Sequence, residues 1–151
     1  MSRIEESIEI AVSPEVAFDA VSDLPSMGRY SPENTGGRWT KGSGPAIGAR
    51  FKGTNAQGKK QWSTTATVVV CDRPSHFAFE VTVAGLKIAR WEFAIAATVA
   101  GCRVTESTTD RRSRLIKTFG KIEGIDDREA YNATSMATTL AALKAHLEAA
   151  G

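Results

Sequence analysis

From Arg38 to Asp110 apolar and polar residues alternate with a period of two, the spacing of strands with one buried face. Phe77, Phe79, Val81 and Val83 fall on one side of a strand. Trp91, Phe93 and Ile95 do the same in the next, opposite Arg90 and Glu92, and Trp62, Thr64, Ala66 and Val68 form a third row. Segments 37–42, 48–55, 60–72, 76–85, 86–99 and 102–110 are dense in Thr, Val, Phe and Trp and are parted by Gly-, Pro- or Asn-bearing turns. That pattern predicts a meander of antiparallel strands. An earlier strand is predicted where Ile4, Glu6, Ile8, Ile10 and Val12 share a mostly apolar side.

The period changes at both ends of this region. In SPEVAFDAVSD, Ser13 is a good N-cap, Pro14 suits the first helical position, and Glu15 favours the positive end of the helix dipole. Val16, Ala17, Ala20 and Val21 then make a short apolar stripe, and Pro25 limits the helix. A second short helix fits before Pro32. The last stretch, from Asp126, is rich in strong helix formers. Asp126 and Glu129 match a capping box, and Asn132, Met136, Leu140, Leu143 and Leu147 fall on one side of the helix. One α+β domain spanning residues 1–151 is expected, a helix covering the apolar face of an antiparallel sheet.

Composition narrows the function classes. Net charge is +2, too small for the basic footprint of a general nucleic-acid binder. The opening MSRIEESIEI carries acids and no apolar run of a signal peptide, and no segment has the length of a membrane span. Cys71 and Cys102 have no metal-type spacing and are expected to be reduced. A cytoplasmic location follows as an expectation. His76 and His146 sit far apart without an H-x-x-x-H spacing, so no metal and no cofactor is expected. GSGPAIGARF leads into a strand and offers no helix N-terminus to a phosphate, and no Ser stands in a G-x-S-x-G elbow.

Four pieces in order carry a resemblance: the opening IEIAVSPEVAFDAVSD, the YSP of Tyr30 and Pro32, the GARF strand start, and GCRVTES. With the terminal helix, they make the chain resemble the START-related (SRPBCC) superfamily, the polyketide cyclase/dehydrase and lipid-transport group with the helix-grip fold. The resemblance runs from about Arg3 to Ala149. It implies a curved sheet of about seven strands wrapped around the C-terminal helix, two short helices after the first strand, and an internal cavity. It also implies that segment 111–125 lies near the cavity entrance. There Arg111, Arg112, Arg114, Lys117 and Lys121, interleaved with apolar residues, would form a lid or touch an anionic lipid surface transiently. A solvated charged loop is the other reading of that segment.

One acid stands out against this background. Cys102, Val104, Glu106, Thr108 and Asp110 share one side of their strand, and the apolar members say that this side is buried. In a helix-grip fold the same side lines the cavity, so Glu106 is the candidate general acid or base. A buried lone carboxylate must be protonated, paired or wetted. Arg128, Asn132 and Asn55 are its candidate partners, and with Thr108 they would place a few polar groups in an apolar pocket. Trp62, Phe79, Trp91, Phe93 and Met136 are the expected apolar lining. The opposing readings are a structural ion pair with an arginine, or a β-bulge that turns Glu106 outward.

The function expected first is binding or transport of a small hydrophobic ligand, such as a lipid, polyketide or aromatic metabolite. A cofactor-independent cyclase or dehydratase using Glu106 is the alternative, with a protein-interaction or stress-response module third. Nothing in the sequence decides between monomer and homodimer.

Overall fold

The computed structural model describes residues 3–31, 34–112 and 128–150. In the order of the chain, β1 (Arg3–Ile10) leads to α1 (Pro14–Ser22) and a 3₁₀ helix (Leu24–Arg29). Six strands follow: β2 (Asn34–Lys41), β3 (Arg50–Gln57), β4 (Lys60–Asp72), β5 (His76–Val83), β6 (Leu86–Thr98) and β7 (Gly101–Asp110). The last element is α2 (Arg128–Ala150), whose side chains are described from Asn132 onward. The Asp126–Glu129 capping box, Pro32 and connector residues 113–125 lie outside the described residues.

All strand pairs are antiparallel, and the order across the sheet is β1-β7-β6-β5-β4-β3-β2. The meander β2 to β7 pairs each strand with its successor, and β1 closes onto the last of them. This is the helix-grip arrangement, a curved antiparallel sheet around a C-terminal helix.

The local signals read from the sequence act where expected. Ser13 caps α1, its Oγ accepting from the Val16 N–H at 3.3 Å, with Pro14 next in line. The apolar stripe of α1 is rotated from the expected one. Val16 is 45% exposed, while Ala17, Phe18 and Val21 are buried. Phe18 sets this rotation by meeting Phe77 edge-on, with ring centroids 6.0 Å apart.

One half of the interior is closely filled. Ile10, Val68, Phe77, Cys102 and Val104 from the sheet meet Leu140, Leu143 and Leu147 of α2 in one buried cluster. Each such side chain contributes about 1.5–3 kcal/mol by leaving water. Polar contacts fasten this end of α2 to the β1 terminus. Lys144 Nζ donates to the Glu9 carbonyl at 2.9 Å and to Glu148 Oε2 at 2.6 Å, and Glu148 Oε2 also accepts from the Ala11 N–H.

Tyr30 is buried with its ring edge toward His146 of α2, and Trp39 packs against Phe51. Behind Trp39, Gly37 sits at φ +154 where a Cβ would lie 2.2 Å from the Lys52 carbonyl oxygen, so that β2 can approach β3 only with glycine there.

Candidate functional site

The other half of the interior holds a cavity of about 100 Å³. Its sheet wall is built by Asn55 of β3, Phe79 of β5, Trp91 and Phe93 of β6, and Glu106 of β7. Asn132, Ser135 and Thr139 of α2 face them, and Met27 and Ser31 close one side.

The register explains how these side chains converge. Glu106 is the Cα partner of Phe93, Thr108 of Trp91, and Phe79 of Trp91 on the far side. Directly paired residues of antiparallel strands project to the same face, so the two aromatic residues of β6 stand beside the acid and Phe79 next to them. Strand β7 pairs with β1 and with β6 without a register shift, so no bulge turns Glu106 outward. A bulge does occur in β4, between Val68 and Val70, well away from the acid.

Glu106 is 5% exposed, and its Oε1 is buried without a hydrogen-bond partner. Among the described residues no ion pair reaches it. Burial pushes its carboxyl up to about 8, so at neutral pH it carries its proton. Its cross-strand partner on β1 is another acid, Glu6. Asn55 is partly engaged, its Nδ2 donating to Thr64 Oγ1 at 3.2 Å.

Six of the ten residues singled out in the sequence line the cavity together: Asn55, Phe79, Trp91, Phe93, Glu106 and Asn132. Three stand elsewhere. Trp62 is half-buried across from Asn55 but off the cavity wall. Thr108 is buried beside Trp91, with its Oγ1 unpartnered, and Met136 is buried in α2 without facing the cavity. The tenth, Arg128, begins α2, and its side chain lies outside the described residues. Within the connector, Arg111 and Arg112 are held by the sheet, Arg111 by Glu80 at 3.4 Å and Arg112 by Asp110 at 2.8 Å.

Four wall residues escaped the sequence reading: Met27, Ser31, Ser135 and Thr139. The signal for two of them was present. Asn132, Ser135 and Thr139 recur at helical spacing beside the apolar stripe of Met136, Leu140, Leu143 and Leu147. A polar stripe next to an apolar one reads as the solvent face of an ordinary helix, whereas here it faces inward.

A family model described as polyketide cyclase / dehydrase and lipid transport matches residues 1–148. The chain belongs to that family. Solved structures agree on the fold of this family member. It is similar to a Polyketide_cyc-like protein from Corynebacterium glutamicum, with 28% identity, a TM-score of 0.67, and 97% of this chain and 91% of that one covered. It is also similar to the major latex-like protein 151 of Panax ginseng, at 10% identity and a TM-score of 0.72 with 96% of each chain covered. An AHSA1-like protein from Aeromonas hydrophila shares 19% identity and a TM-score of 0.69, with 99% and 94% covered. No curated protein matches the sequence. Among the described residues, no helix is long and apolar enough to cross a membrane.

Proposed function

We propose that this chain binds a small, largely apolar molecule between the sheet and α2, and that Glu106 supplies its principal polar contact. The observation that carries this reading is the buried, unpartnered Oε1 of Glu106 on the cavity wall, beside Phe93 and Trp91. Leaving a buried polar atom unpaired costs about 1–3 kcal/mol. A ligand that completes the hydrogen bond recovers that cost on binding. The aromatic wall supplies the apolar contact such sites use, and the family's description includes lipid transport.

Naphthalene added to 15N-labelled protein tests this reading. Saturable shifts are expected for amides of β5, β6 and β7 around Phe79, Trp91 and Glu106, and Ser135→Phe, which fills the space from the helix side, should abolish them while the rest of the spectrum stays folded. Unchanged binding in that variant, or no binding to the unaltered protein, overturns the proposal.

A second reading, a cyclase or dehydratase, draws support from the protonated state of Glu106. A carboxyl held near 8 is in the range of a general acid working at neutral pH. Under that reading Glu106→Gln retains naphthalene binding and loses turnover.

A further inference from the structure

The surroundings of Glu106 narrow what kind of polar group it can meet. Among the described residues lining the cavity there is no lysine, arginine or histidine. From β6 the acid is faced by Phe93, and from α2 by Asn132, Ser135 and Thr139. Met27 and Ser31 border the same space. Among the described residues, the titratable side chain paired with it across the strands is Glu6 of β1, which is of like charge when ionised. Among the described residues, then, Phe93 and Glu6 disfavour an anion at this position, and the amide and hydroxyl groups of the wall offer hydrogen bonds but no positive charge.

Three ligand chemistries respond differently to such a site. A carboxylate would bring a charge against a wall whose described residues supply no cation to balance it, a cost of several kcal/mol where the charge is buried. An ammonium group would have to shed its water and also force Glu106 to ionise, and a buried pair formed that way barely repays its desolvation. A carbonyl asks for neither change. Its oxygen accepts the O–H that Glu106 already carries, and nothing charged is created or buried.

We infer that, if the ligand site described above is correct, it selects an uncharged aromatic carbonyl compound. The carbonyl oxygen takes a hydrogen bond from the Glu106 carboxyl, and the ring lies among Phe79, Trp91 and Phe93. Glu106 is thereby the specificity-determining residue, excluding aromatic acids of the same size.

Acetophenone, benzoate and benzylamine share one ring and differ in the group offered to Glu106, so titrating each by NMR from about pH 5 to about pH 9 tests the inference. Acetophenone is expected to bind at least about tenfold more tightly than benzoate at neutral pH. Its affinity should be flat at low pH and fall by up to about tenfold per pH unit once Glu106 ionises and loses its donor. In Glu106→Gln, whose amide also donates, acetophenone binding should persist and lose that pH dependence. An amine-selective site would show the opposite slope, with benzylamine tightening as the pH rises toward the ionisation. That slope, or equal binding of benzoate, overturns the inference. If none of the three binds while naphthalene does, this inference falls and the binding function stands. If naphthalene also fails, both fall. Should Glu106→Gln not fold, the ranking and pH profile of the unaltered protein still decide.

Discussion

The two ends of the interior are made from the same elements and differ in what they enclose. On β7, Cys102 and Val104 disappear into the packed cluster; two and four residues later on the same face, Glu106 and Thr108 are equally buried and hold unpartnered polar atoms. On α2, Leu140, Leu143 and Leu147 fill one end, while Asn132, Ser135 and Thr139 border the cavity at the other. On the helix the division falls between adjacent residues, Thr139 and Leu140, and on the strand across one inward position, Val104 to Glu106, while Phe93 and Met27 belong to the buried cluster and border the cavity as well. A close-packed end supplies stability without chemistry, which allows the other end to keep a space and an acid that cost stability.

The largest effect should come from the packed end. Phe77 is fully buried, touches Phe18 and Phe79, and joins α1 to the sheet. Phe77→Ala should destabilise the protein by about 3–5 kcal/mol, read from urea unfolding, because the surroundings relax only partly around the lost ring. A loss below about 1 kcal/mol would mean that this end is not the closely packed one.

The hollow end should reveal itself through pH. Glu106 titrates near 8 when folded and near the ordinary 4.5 when unfolded. Between those values the folded chain holds one more proton than the unfolded chain, so this residue makes stability fall as pH rises through that window and level off above it. The slope attributable to Glu106 is at most about 1.4 kcal/mol per pH unit. Glu106→Gln should remove that part of the profile, and unfolding measured at several pH values in both proteins provides the difference. Parallel profiles would mean that Glu106 does not titrate in an enclosed site, and would break the contrast between the two ends.

The packed end was legible in the sequence because its physics is written in residue type. Large apolar side chains at period two on strands and at helical spacing on the last helix have one place to go. The position of Glu106 was legible too, since parity along β7 follows from Cys102 and Val104, and the ladder runs unbroken on both sides. Which residues share its cavity was only partly readable. Asn132, Asn55 and the β5–β6 aromatics followed from period and resemblance, but Ser135 and Thr139 are small polar residues whose type does not separate a cavity wall from a solvated helix face, and Met27 and Ser31 sit in a segment with no period at all. Val16 misled for a related reason. It is as apolar as its neighbours, and only the bulk of Phe18, seeking Phe77, decides which side of α1 turns inward.

Thr139 offers the smallest and sharpest test, because it stands at the divide. It is buried, it borders the cavity, and its neighbour Leu140 belongs to the packed cluster. Thr139→Val keeps the shape and removes one hydroxyl. If that hydroxyl serves the cavity, stability should change by less than about 1 kcal/mol in urea unfolding, as for sites outside a close-packed core. Naphthalene should bind the variant at least as well, since the wall becomes more apolar, while acetophenone gains less than naphthalene does. A loss of several kcal/mol would instead place the hydroxyl in the structural network of α2 and move the boundary between the two ends toward Ser135.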